Sequence, residues 1–417
     1  MKKTFNQVST FIKQNYLFFL LFFLVANSFN YIFPELNTFT TAGFIYRGTI
    51  LFLYITFALF VSFNSQIIKN KYFIIILSIY FLFATGSVVN VSFNPLTSST
   101  PIDSTYYLKA FGQIFVNAIS IIVLLSIPKS ENRNNILTCY IILGIVAFAI
   151  IFSLIKDYKS IVNTLVETDH SNYDVTSFFV DKNTFGLLLF IGSVISYYLC
   201  KNKNYLYILP TFLILLYSLL ARCKTAAVLI LAIVLLSFIE LLISLFKKNK
   251  KTFVVTVVSV SAVLLVTLIL VLTRVWIFKY IYSALFDKYG LIYDSRVVIL
   301  DRFDNWQNAL RKLSTFAFAT LGYSERIYQL FIANPVDNIF ILTLVTGGAI
   351  KFILYLIFLA YLIKENAKNR NVMILLGLFM LYGLMQDYTI VGVSFSSLGF
   401  TILYLIYRNT NCFDRSL

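Results

Sequence analysis

The sequence predicts an all-α, polytopic integral membrane protein, and three observations carry that prediction. Hydrophobic residues fill 59% of the 417 positions and charged residues only 12%, a balance outside the range of soluble globular domains. Apolar runs of about 17 to 25 residues recur along the chain, the length a helix needs to cross roughly 30 Å of hydrocarbon. Lysine and arginine gather in alternate connections between the runs, as they do in cytoplasmic loops. A membrane barrel would show short alternating strands instead.

About twelve transmembrane helices follow in chain order. They lie at 16–33, 44–63, 72–93, 105–127, 136–155, 178–199, 205–221, 225–246, 252–272, 337–363, 372–387 and 392–407. The first run has no small-residue cleavage site behind it and reads as a span rather than a signal peptide. The connections then alternate in character. "IIKNK", "PKSENRN", "CKNKN", "KKNKK" and "KENAKNR", with both termini, hold 18 of the 34 lysines and arginines and, among acids, only Glu131, Glu365 and Asp414. These mark the cytoplasmic side and place the N- and C-termini there. The other side carries "FPELNTFTTAG", "NPLTSSTPIDST", "KDYKSIVNTLVETDHSNYDVTS" and one large loop, 273–336, within a single transmembrane domain spanning 1–417.

The net charge of +16 therefore reports topology. No basic run is interleaved with a nucleic-acid motif, so nucleic acid is not an expected partner. The four cysteines indicate neither a disulfide framework nor a thiol metal site. With one histidine, His170, and no HExxH, DxD or P-loop pattern, neither a metal nor another cofactor is expected.

Cations inside a membrane are costly and mark cavities by default. Arg47, Lys109, Lys182, Arg222 and Lys224 all fall near the outer ends of spans, where the positive-inside bias should deplete them. Snorkelling to the headgroups is the plain alternative for each alone. Arg222 and Lys224 stand two apart in "ARCKT" and could not share a helical face, which predicts a helix break with a new span starting near Thr225. Lys224 would then sit at a helix N-terminus, a position that favours anions, and the pair would hold a phosphate-like group.

The outer loop contains "DSRVVILDRFDNWQNALRKLSTFAF", an amphipathic helix with Trp306, Ala309, Leu310 and Leu313 on one face. It reads as a helix on the bilayer surface, Trp306 in the aromatic belt, which leaves Arg296 and Arg302 for a ligand. Asp337 and Asn338 open the next span after Pro335, where helix capping and catalysis are both open to Asp337. Asp181, Lys182 and Asn183 pose the same choice at the start of the sixth span.

The order of "DKNTFG" (181–186), "CKTA" (223–226), "RFDNWQNAL" (302–310), "LGYS" (321–324) and "DNIFILTLVTGG" (337–348) resembles the O-antigen polymerase and O-antigen ligase superfamily. That family shows an S-R/K-T-A-like step, an RxxxWxxAL-like helix, a GxG-like turn and an H/D-N-x-x-L element followed by glycine. The likeness covers most of 178–350 and implies a GT-C-like membrane fold. Ligases typically carry histidine where Asp337 stands, so the match looks more like the polymerase (Wzy-type) branch. Cys223 and Ser324 depart from the family's serine and glycine.

The resemblance implies a metal-independent glycosyltransferase of lipopolysaccharide biosynthesis. It would move a growing glycan from polyprenyl pyrophosphate onto a lipid-linked repeat unit, at the periplasmic face of a bacterial inner membrane. Donor and acceptor glycolipids, membrane lipids and a separate chain-length regulator are the partners it implies. Arg222, Lys224, Arg296 and Arg302 would hold the pyrophosphate charge. Lys182, Asn183 and Asn338 would line the substrate site, with Asp337 the base and Asp181 in reserve. Trp306, Tyr323 and Tyr328 would stack on sugars. An O-antigen ligase is the near alternative; a flippase or transporter of lipid-linked oligosaccharide is the alternative from another class.

Overall fold

A computed structural model describes residues 2–33, 41–63, 65–93, 104–127, 134–166, 175–179, 182–221, 223–248, 295–325, 327–330, 336–386 and 390–408. The predicted ninth span, residues 273–294 of the large loop, and Asp181, Arg222 and His170 lie outside the described residues.

The described chain is all-helical, with no strand among the described residues. Its α-helices are α1 (Lys2–Gln14), α2 (Tyr16–Ile32), α3 (Thr41–Ser62), α4 (Gln66–Lys69), α5 (Lys71–Phe93), α6 (Ser104–Ser126), α7 (Asn134–Lys156) and α8 (Tyr158–Val166). There follow α9 (Lys182–Asn202), α10 (Ile208–Leu220), α11 (Lys224–Lys248), α12 (Ser295–Arg311), α13 (Phe316–Leu321), α14 (Ile339–Asn366), α15 (Arg370–Met385) and α16 (Phe395–Arg408). Six are long and apolar enough to cross a membrane: α3, α5, α6, α7, α9 and α14. A seventh crossing arises if α1 and α2, bent by 71°, count as one. The chain is a helical, multi-pass membrane protein. Helices fall at eleven of the twelve predicted spans, but α10 has 13 residues and rises only about 20 Å.

The chain divides into two compact units, Met1–Asn135 with Ile299–Thr410, and Ile136–Val298 with Asn411–Leu417. In the first, α1 is tied to α3 through Ser9 Oγ, which donates to the Phe60 carbonyl at 2.8 Å, and Lys13 Nζ, which donates to the Phe63 carbonyl at 2.5 Å. Its core contains Ala84, Val88, Ile114, Ala309, Phe318 and Tyr323. Trp306 and Leu313 pack against that core and Ala309 is fully buried, whereas Leu310 is 40% exposed. The amphipathic reading of this helix is thus right in its axis and wrong for Leu310.

In the second unit α9 is buried from Thr184 to Cys200 and packs on α10 and α11. The chain entering α9 is clamped by a buried carboxylate. Asp157 Oδ2 accepts from Ser153 Oγ (2.8 Å), Thr176 N–H (3.1 Å) and Ser177 N–H (2.8 Å). Lys156 Nζ donates to the Ser177 carbonyl at 2.6 Å, and Phe178 and Phe179 seat among Phe148, Phe152 and Phe185.

Candidate functional sites

In the second unit two of the sequence motifs meet. The helix break expected at "ARCKT" is present: α10 ends at Leu220, and α11 begins at Lys224, one residue before the expected start. The Cys223 thiol donates to the Lys182 carbonyl at 3.1 Å, so the residue before α11 grips the first residue of α9. The contact is close because Gly186 faces it: a Cβ there would lie 2.9 Å from Cys223 Cβ and 3.3 Å from Ala226 Cβ. Two helix N-termini therefore lie side by side, each opening on a lysine, Lys182 and Lys224, both half-buried, with Asn183 exposed beside them. Each N-terminus carries the positive end of its helix dipole. Amides and ammonium groups together make a setting for an anion.

In the first unit two further motifs meet. α14 is not one continuous helix: Gly348 has φ 63° and ψ −170°, which breaks the ladder between Gly347 and Ala349. The "LGYS" segment enters this break. Tyr323 N–H donates to the Val345 carbonyl (2.9 Å) and Ser324 N–H to the Thr346 carbonyl (2.7 Å), which satisfies acceptors freed by the break. Gly322, at φ 71°, allows the approach, since a Cβ on it would lie 2.5 Å from the Gly347 and Gly348 amides. Asn90 Nδ2 donates to the Gly322 carbonyl at 3.4 Å.

The same break presents charges that the sequence reading passes over. Glu325, next after "LGYS", pairs with Lys351, one turn beyond "TGG". Asn117 Nδ2 donates to both Glu325 oxygens at 3.1 and 3.2 Å, and Gln113 Nε2 orients Asn117 by donating to its Oδ1 at 2.9 Å. Tyr80 borders the pair, and all but Gln113 line a cavity of about 260 Å³ whose other walls are mainly apolar and aromatic. A lone lysine inside the apolar run 339–363 was the available signal.

The remaining expected site residues are placed as follows. Asn338 caps α14, its Oδ1 accepting from Phe340 N–H (2.9 Å) and Ile341 N–H (3.2 Å), so the cap is Asn338 rather than Asp337. Asp337 is half-buried just before it. Trp306 meets Phe303 edge-on at 5.1 Å, and its buried Nε1 has no hydrogen-bond partner. Arg296 and Arg302 lie on α12. Tyr323 and Tyr328 are buried, and Tyr323 stacks on Phe318 at 4.3 Å and donates its hydroxyl to the Lys312 carbonyl at 2.7 Å. Neither tyrosine offers a face to a sugar, a correction to the expectation above. Among the described residues no group of three or more His, Cys, Asp or Glu is placed to hold a metal ion.

Comparison with protein-family models, curated proteins and solved structures finds no match for this chain.

Proposed function

We propose that the protein is a glycan polymerase of the O-antigen polymerase type. It transfers a growing chain from polyprenyl pyrophosphate onto a lipid-linked repeat unit at the outer face of a bacterial inner membrane. The observation that carries this reading is the joining of "DKNTFG" to "CKTA" through Cys223 and Lys182, which sets two lysine-bearing helix N-termini side by side. Such a pair suits a diphosphate, because the donor's leaving group gains charge as the glycosidic bond breaks and fixed positive groups stabilise that charge. The meeting of "LGYS" with "TLVTGG" supports the same reading, since these belong to the last two motifs in the family's order.

In this proposal about twelve spans cross the membrane in a GT-C-like arrangement. Both termini are cytoplasmic and the 273–336 loop is periplasmic. Arg222, Lys224, Lys182, Arg296 and Arg302 hold the pyrophosphate, Asp337 takes the acceptor's proton, and Asp181 stands in reserve. By the same resemblance Asn183 and Trp306 would contribute to the substrate site, while Asn338 serves as the α14 cap.

The helix break at Gly348, with Lys351 inside α14 and Glu325 reaching it from the segment that fills the break, favours a second reading as a transporter of lipid-linked oligosaccharide, because discontinuous helices and interior charges line transport sites. Gel analysis of surface polysaccharide from a strain lacking the protein separates the readings. A single repeat unit on the core supports the polymerase, bare core supports a ligase, and carrier-linked units accumulating inside support transport.

A further inference from the structure

The ion pair in the first unit has no part in the proposed transfer. Lys351 lies near the middle of the 28-residue α14, at a depth where a cation is costly unless paired. Its partner Glu325 does not belong to that helix; it comes on the segment that fills the break. The pair therefore adds a charged tie to the backbone hydrogen bonds that join these two pieces of chain. The two side chains keep only 16% and 24% of their exposure.

The filling segment is held in a conformation it would not choose alone. Gly322 and Ser324 have φ of 71° and 68°, and the facing Gly348 has φ of 63°. Left-handed backbone disfavours a side chain such as that of Ser324. Two backbone hydrogen bonds, donated to the Val345 and Thr346 carbonyls, oppose that strain on the near side. On the far side Lys351, also within 3.4 Å of Thr346 Oγ1, grips the carboxylate that follows. Removing either charge leaves the other half-buried beside a mainly apolar cavity without its ionic partner, an unfavourable state that withdrawal of the segment into water would relieve.

We propose that Glu325 and Lys351 form a latch that holds residues 322–325 in the broken helix, and that separating them lets this segment withdraw and opens Ser324 to water. This holds whether the protein makes glycans or moves them.

The test uses the full-length protein in detergent with Ser324→Cys as reporter, because Ser324 is 3% exposed. Its reaction with a water-soluble maleimide is followed at residue 324 by peptide mass spectrometry, so the native cysteines do not contribute. With the pair intact, labelling is slow. Adding Glu325→Gln or Lys351→Met accelerates it about a hundredfold, and the exchanged pair Glu325→Lys with Lys351→Glu returns it to the slow rate. Unchanged rates in both single variants overturn the latch. Should those variants not elute as single monodisperse species, hydrogen exchange on the unsubstituted protein decides. Tyr323 and Ser324 amides exchanging together, ahead of the α14 amides, support the latch; exchange no faster than α14 overturns it.

Discussion

The thiol of Cys223 hydrogen-bonds the main chain of Lys182 at 3.1 Å, across 41 residues of sequence, and fixes the start of one helix against the start of another. Packing, rather than cysteine chemistry, sets this contact.

Gly186→Ala is therefore expected to destabilise the protein by about 1–3 kcal/mol, since the new methyl overpacks against Cys223 and Ala226. Cys223→Ser, which keeps a donor of similar size, should change stability by less than about 1 kcal/mol. Thermal unfolding of both variants in detergent checks the pair.

If the lysine-bearing N-termini hold the leaving diphosphate, Lys182→Ala and Lys224→Ala each lower chain extension by about a hundredfold while protein levels hold. The readout is the ladder of surface polysaccharide in complemented strains. A normal ladder in both variants removes the phosphate role.

Asn338 and Asp337 separate structure from chemistry. Asn338→Ala removes the α14 cap and costs about 1 kcal/mol, seen as a lowered unfolding temperature. Asp337→Asn should leave that temperature unchanged and abolish transfer; retained transfer would deny Asp337 its role as base.

Gly322→Ala and Gly348→Ala force a side chain into left-handed backbone and into neighbouring main chain, at a cost above about 2 kcal/mol each. Gly112→Ala and Gly144→Ala, which meet open space inside helices, are expected to be neutral or slightly stabilising, by less than about 1 kcal/mol. Detergent-phase unfolding of the four proteins tests the contrast.

Hydropathy makes most helices legible, and the paired cations Arg222 and Lys224 make the α10–α11 break legible, because charge at fixed spacing constrains backbone direction. The Gly348 break is hidden, since an unbroken apolar run reads as an unbroken helix. Glu325 and Lys351 escape for a related reason: 26 residues separate them, and only the loop's return into the helix makes them neighbours. Asp157 escapes as well. In sequence it is one polar residue of an outer connection, yet its carboxylate is consumed by the amides of Thr176 and Ser177.

The burial of α9 has a consequence for how the protein is made. A span covered along its length has almost no surface suited to lipid chains, and it is the least apolar of the six. During synthesis it emerges before α10 and α11, two of the helices that pack on it, so until they arrive it depends on lipid to which it is poorly suited. Chains stopped short of Lys224 should therefore leave it poorly retained in the bilayer and open to proteolysis.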